Sequence, residues 1–271
     1  MSAAWYDPRI ARGMAQQLTR WHERLKAGEK PIGWKVGFGA PAAMERLKIQ
    51  SPLVGFLTDQ ALISSGKPLA LTNWVKPVAE PEIAVYIGKD LPGGASRETA
   101  KAAISGLGPA IELADLEFPP DDVEAILAGN IYQRHIVLGT RDASRAGCVL
   151  DGLLASVLRN GTEVANTADP QALTGELIDI VRHVADMLSA FGERLRAGQV
   201  IITGSVIAPL WAEAGEEIAF RLDRSAAFPS ASRRQPAPDI PGNEPIWPIR
   251  PKTADCVFKS NRPELRVQSV H

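Results

Sequence analysis

The side chains best placed to do chemistry lie between Lys76 and Glu117, where the chain reads KPVAEPEIAVYIG and, further on, GPAIELADLE. Val78 to Ile87 has the β-branched alternation of a strand and is followed by Gly88. Successive side chains in a strand point to opposite faces. Glu80, Glu82 and Ala84 therefore share one face, while Ile83, Val85 and Ile87 share the other. A second strand-like run, Ala110 to Ala114, sets Glu112 opposite Ile111 and Leu113. Each strand thus has an apolar face for a core and acids on the reverse.

Carboxylates at i and i+2 of a strand sit about 6.5–7 Å apart. A third carboxylate nearby forces protonation or repulsion unless a cation lies among them. Oxygen ligands of this kind suit Mg²⁺ or Mn²⁺, which keep positions open for water or substrate. The same spacing also fits an ordinary solvated strand face, and spacing alone leaves both readings open.

The flanking sequence adds a resemblance. GWKVGF (33–38), P-x-x-G-x-L (52–57), EPEIA (80–84), GPAIE (108–112), VLG (137–139), RNGTEV (159–164) and LRAGQVIITGS (195–205) occur in this order. In this combination the chain resembles the fumarylacetoacetate hydrolase superfamily, and within it the 2-keto-4-pentenoate hydratase/4-oxalocrotonate decarboxylase branch. The resemblance runs over roughly residues 5 to 222. It implies that Glu80, Glu82 and Glu112 hold a divalent metal, Mg²⁺ or Mn²⁺. It further implies that Lys35, in GWKVG, faces the active site and assists proton transfer or steadies a charged enolate. From the residues alone, Lys35 either snorkels to the surface or is buried with a partner.

Two further positions are candidates for substrate binding. Ser205 ends the T-G-S turn that lies at the active site in the family, and its hydroxyl or the turn's N–H groups could hold a carboxylate. Asn130 matches part of a family Ala-Asp-Asn stretch, and either contacts substrate or simply makes a turn. The chain also departs from the family. Leu53 stands where the hydratases resembled carry an aspartate used in water addition, and Gly129 replaces the aspartate before Asn130. A leucine relays no protons, so this departure bears on hydration and leaves decarboxylation, or another enolate reaction, less affected.

The elements that position these residues follow from periodicity. Asp7 and Pro8 open a helix over 8–27, with Ile10, Met14, Leu18, Trp21 and Leu25 on one face. Shorter helices are expected over 40–47, 97–105 and 121–127, and a long one over 173–195. Strands are expected over 33–39, 55–57, 131–138, 199–203 and 216–222, with an Asn160-Gly161 hairpin over 153–165. His22, His135 and His183 read as packing or surface residues. The expected class is α+β. The resemblance sharpens this to a mixed β-roll or sandwich with peripheral helices. Residues 1–70 form a helical segment with short strands, 71–224 the catalytic core of the same unit, and 225–271 an atypical Pro/Ser/Arg-rich tail. That tail is expected to be foreign to the fold, leaving a sheet strand missing or poorly replaced.

With 271 residues, 45% hydrophobic and 23% charged, the chain can bury one substantial core. A net charge of −1 with no basic run gives no electrostatic footprint for nucleic acid. No stretch is long and apolar enough to span a bilayer, and two cysteines without a motif point to a reducing compartment, so a cytoplasmic location is expected. The resemblance implies a lyase of aromatic catabolism that takes 2-oxo or 2-hydroxy-dienoate acids and works as a homo-oligomer or in a hydratase–decarboxylase complex. Its alternatives are a C–C bond hydrolase of acylpyruvates and a non-catalytic subunit of such a complex.

Overall fold

The computed structural model describes residues 4–224 and 264–270. Residues 225–263, most of the proline-rich tail, lie outside the described residues. The first helix, α1 (Pro8–Lys26), starts where the Asp7 carboxylate accepts the Arg9 N–H at 2.9 Å. It buries Ile10, Met14, Leu18 and Trp21 of the stripe read from the sequence, with Leu25 half-buried at its end.

After it the chain forms β1 (Pro31–Gly37), α2 (Pro41–Leu47), β2 (Leu53–Thr58), β3 (Pro68–Ala70) and β4 (Pro77–Ile87). Next come α3 (Arg97–Ala103), β5 (Ile104–Asp115), α4 (Val123–Ala128) and β6 (Gln133–Leu138). The hairpin of β7 (Leu153–Arg159) and β8 (Thr162–Thr167) turns at Asn160 and Gly161, both at positive φ, as a type I′ turn requires. Then follow α5 (Leu177–Ala190), β9 (Val200–Ser205), β10 (Leu210–Trp211), β11 (Glu217–Arg224) and β12 (Glu264–Val270).

Two sheets result. The larger runs β2-β1-β9-β4-β5-β6, with β10 paired to β4, and the smaller runs β3-β12-β11-β7-β8. The expected mixed α/β roll with few, peripheral helices is what the structure shows. One face of the larger sheet packs Trp34, Val36, Phe56, Ile83 and Val85 into the main core with α1, α4 and α5. The other face is also closed over. Leu57, Ala84, Ala110, Ile136, Val200 and Ile202 meet there as a second apolar cluster.

Several boundaries differ from the sequence expectation. The helix expected over 173–195 is α5 alone, Leu177–Ala190, because Gly175 and Gly192 both take positive φ and bracket it. α3 ends at Ala103, and Ile104 and Ser105 join β5 instead. α4 covers Val123–Ala128, capped by Asp122 rather than beginning at Asp121. β6 begins at Gln133, because Asn130, Ile131 and Tyr132 form a left-handed turn with φ of 57°, 53° and 60°.

The largest correction concerns the end of the chain. The strand expected to be missing or poorly replaced is supplied by β12, which pairs parallel to β11 and antiparallel to β3. Its Leu265 and Val267 are fully buried. Among the described residues no helix is long and apolar enough to cross a membrane.

Candidate active site

The three acids of the sequence motif come together inside the larger sheet. β4 and β5 pair antiparallel with Glu80 opposite Glu112 and Glu82 opposite Ala110. Directly opposed residues share a face, so all three carboxylates project from one side. That side is the closed interior rather than a solvated surface, and the second apolar cluster lies on it. Glu82 and Glu112 are fully buried and Glu80 is partly so. One carboxylate oxygen from each lies within 4.8 Å of the others.

Lys35 reaches the same interior from β1. Its register partner across β2 is Gly55, and its neighbours two residues away on the same face are Gly33 and Gly37. Glycines thus stand at its β2 partner and on both sides of it along β1, which leaves room for its stem. Trp34 and Val36 point the opposite way, into the main core. Lys35 is 1% exposed, so of the two readings open from sequence the paired, buried one holds. Its ammonium is in hydrogen-bonding contact with the Glu112 carboxylate and donates to the Ile131 carbonyl at 3.1 Å.

The electrostatics of this cluster are unbalanced. Burial, the Glu112 charge after it, and only partial relief from Lys35 push the Glu80 carboxyl up to about 7. Burial and the two neighbouring acids hold Glu82 well above the carboxylate range, although the Gly204 N–H donates to its Oε2 at 2.7 Å. Burial raises Glu112 too, against the pull of Lys35. Its Oε2 is buried with no hydrogen-bond partner. Three carboxylates against one ammonium leave a formal charge of minus two, which a dication neutralises. A hard, all-oxygen donor set with an orphaned buried oxygen fits Mg²⁺ or Mn²⁺.

Ser205 lies in register with Glu82, and its hydroxyl donates to the Pro81 carbonyl at 3.4 Å. It therefore borders the triad. Asn130 is placed otherwise. Its side-chain oxygen accepts the Phe56 N–H at 2.8 Å and its amide nitrogen donates to the Phe56 carbonyl at 3.0 Å. Those bonds tie the carboxamide to β2. Leu53 falls on the same face of β2 as Gly55, opposite Gly37, and is fully buried. The aspartate's place is thus apolar on the Lys35 side of the sheet. Sequence reasoning missed Gly37 and Gly55. Glycines two residues to either side of Lys35, at 33 and 37, were the available signal.

His135 stacks on Trp74, with ring centroids 6.1 Å apart, and burial lowers its pKa. His22 bonds Glu193 at 2.8 Å, and His183 bonds the Pro52 carbonyl at 2.9 Å. None of the three is among the groups around the triad.

Known proteins resemble this chain in sequence and in fold. Residues 32–230 match the family described as fumarylacetoacetate (FAA) hydrolase, C-terminal. The 2-hydroxyhexa-2,4-dienoate hydratase of Comamonas testosteroni is 30% identical over 198 residues, 71% of this chain and 75% of the relative. The 4-oxalocrotonate decarboxylase of Pseudomonas putida is 28% identical over 197 residues, 72% of this chain and 74% of that one. A solved structure of 4-oxalocrotonate decarboxylase from Pseudomonas putida G7, complexed with magnesium and adipate, superposes with a TM-score of 0.72. It is 26% identical and covers 79% of this chain and 82% of its own. With the family model matching across most of its length, this chain belongs to the fumarylacetoacetate hydrolase family.

Proposed function

We propose that this chain is a divalent-metal-dependent lyase that takes 2-oxo or 2-hydroxy-dienoate acids through an enolate, in the cytoplasmic breakdown of aromatic ring-cleavage products. The observation that carries the reading is the closed triad of Glu80, Glu82 and Glu112 with Lys35 bonded to its innermost member. Those three carboxylates would hold Mg²⁺ or Mn²⁺. When bound there, the cation supplies Lewis acidity toward the C1 carboxylate and C2 oxygen of a 2-oxo acid, where negative charge builds as the enolate forms.

The protein's own groups do the rest. The Gly204 N–H orients Glu82, and the Glu112 contact and the Ile131 carbonyl hold Lys35 beside the cluster. Lys35 then carries the proton to or from the substrate carbon, or pairs with a distal carboxylate. Ser205, in register with Glu82, would contact the substrate carboxylate. CO₂ loss and dienol protonation share the enolate, so one site serves both. Leu53 decides between decarboxylation and hydration. A buried leucine on the Lys35 face offers no base to activate water, which favours decarboxylation.

The test is deuterium exchange at C3 of 2-oxopentanoate, followed by NMR in D₂O. Exchange that requires Mg²⁺ or Mn²⁺ and is lost in Glu82→Gln supports the reading. No exchange in a folded, metal-loaded protein would turn it toward a non-catalytic subunit of a hydratase–decarboxylase complex or toward an acylpyruvate hydrolase.

A further inference from the structure

Three consecutive residues, Asn130, Ile131 and Tyr132, stand in the left-handed region, and none is glycine. A β-branched residue at φ of 53° is a strained choice, and strain of this kind persists only where the surroundings over-determine it. Here they do. The Ile131 N–H donates to the Ile126 carbonyl at 2.8 Å and the Gln133 N–H to the Asn130 carbonyl at 3.2 Å. The Asp115 N–H donates to the Tyr132 carbonyl at 3.0 Å, and the Tyr132 ring packs on Phe118 with centroids 4.5 Å apart. The Asn130 carboxamide closes the remaining side by taking both backbone groups of Phe56.

Of the three carbonyls in this turn, those of Asn130 and Tyr132 accept from backbone. The carbonyl of Ile131 accepts from Lys35. The glycines fit the same arrangement. A methyl group on Gly55 would lie 2.8 Å from Asn130 Oδ1 and 2.9 Å from Lys35 Cγ, and one on Gly37 would lie 2.8 Å from Ile131 Cγ2. β2, the turn and the lysine stem thus interlock around Gly55, where β2 carries no side chain.

We infer that the left-handed turn is a positioning device for Lys35, with Asn130 and Gly55 as its positioning residues. The Asn130–Phe56 clamp fixes the turn to β2, and the turn aims the Ile131 carbonyl at Nζ. An ammonium has three N–H donors. With one given to Ile131 and one to Glu112, the third is left in a single defined direction for the reacting substrate. A long, flexible side chain thereby becomes a fixed group. This inference rests on the reading that Lys35 serves the enolate chemistry.

Two variants test it, Asn130→Gly and Gly55→Ala. The first keeps the left-handed backbone at no steric cost and removes only the clamp. The second presses on the clamp and the lysine from β2, so the inference stays testable if one variant fails to fold. Each is measured in Mn²⁺-saturated 2-oxopentanoate exchange per folded molecule, and in the rate at which acetic anhydride acylates Lys35, read by peptide mass spectrometry. Displacement of a positioned group is expected to lower kcat about ten- to a hundredfold. KM and Mn²⁺ affinity should stay near the wild-type values, because the carboxylates sit on β4 and β5. Lys35 acylation should rise several-fold over the wild type. Variants that lose thermal stability but keep wild-type kcat and wild-type Lys35 acylation would overturn the inference. If the wild type itself shows no exchange, the enolate reading fails, and the acylation rates alone decide whether the turn holds the lysine.

Discussion

Glu80 and Glu112 face each other across one rung of the antiparallel β4–β5 ladder, two acids opposed inside a closed sheet. Like charges directly opposite each other destabilise a sheet, and burial sharpens the effect. Nothing in the packing requires the arrangement, since Ala84 and Ala110 line the same face without charge. The cation proposed above would account for it. Glu80→Gln is therefore expected to stabilise chelator-treated protein by about 0.2–1 kcal/mol of relieved repulsion, read as a higher melting temperature. In Mg²⁺ the order should reverse, because ligand at a hundred times Kd adds about 2.7 kcal/mol to the wild type. Thermal melts with and without chelator read both effects. A variant less stable than wild type in chelator would remove the case for a cation-binding triad.

Lys35→Met separates the lysine's electrostatic role from its chemical one. Breaking a buried ion pair strands the partner charge, at about 3–5 kcal/mol. Here the stranded group is Glu112, whose second oxygen already lacks a partner. Metal-free Lys35→Met should melt well below the wild type and recover much of the difference in Mn²⁺, which supplies the missing positive charge. Exchange at C3 should stay low after that recovery, by about 10²–10⁴-fold, the range for a lost acid–base group. Recovered stability together with near-wild-type exchange would assign Lys35 to structure alone.

Much of this site was legible in the sequence, and what was hidden had physical causes. Period two places Glu80 and Glu82 together, but it cannot say which face turns inward. The acids therefore read equally well as solvated, and only the curling of the sheet over Leu57, Ala110 and Ile202 buries them. The Asn160-Gly161 turn and the stripe of α1 were readable because local backbone chemistry decides both. The turn at 130–132 was not, since Ile131 and Tyr132 have strand propensities that tertiary contacts override. β12 was unreadable for another reason. Its partners β3 and β11 lie far away in sequence or beyond the proline-rich stretch, and no local pattern announces such a pairing.

Leu53 offers a test of reaction choice. Wild-type protein should release CO₂ from a 4-oxalocrotonate-type 2-oxo diacid while adding water slowly to a 2-hydroxydienoate. Leu53→Asp places a carboxylate on the Lys35 face of β2, at a fully buried position. The lost packing and the buried acid should lower stability by about 2–5 kcal/mol. The ratio of hydration to decarboxylation, measured by product analysis on the surviving folded protein, should nevertheless rise. An unchanged ratio would mean that position 53 does not govern the choice.

The Arg159–Glu216 pair makes part of the acid sensitivity of the smaller sheet predictable. Arg159 donates to both Glu216 oxygens, at 2.8 and 2.7 Å, and holds that carboxyl below its ordinary value of 4.5. An acid depressed in the folded state contributes stability above its unfolded pKa, and the contribution fades as pH falls through the folded one. Stability from this pair should thus be full at neutral pH and lost progressively below about 4.5. Both side chains are partly solvated, so the effect is modest and weakened by salt. Arg159→Ala should flatten the acid limb of a stability–pH curve in that window. A parallel curve displaced by a constant amount would assign the arginine to packing and to its bond with the Trp211 carbonyl.

β12 is the element whose removal should be felt most. Between β3 and β11 it fills a central place in the smaller sheet, and its Ser269 N–H donates to Ser65 Oγ at 3.2 Å. Leu265 is completely buried, so Leu265→Ala should remove about 2–5 kcal/mol. At about 2–4 °C per kcal/mol for a chain of this size, that is a melting-temperature loss of roughly 4–20 °C. Ending the chain after Pro263 removes Val267 and both ladders as well, and should destabilise further. The larger sheet with its carboxylates should then still bind Mn²⁺ in whatever fraction stays folded, because β12 contributes no group to the triad. A truncated chain that melts at the wild-type temperature would return the C-terminal residues to the status of an appendage, and the edges of β3 and β11 would need another partner.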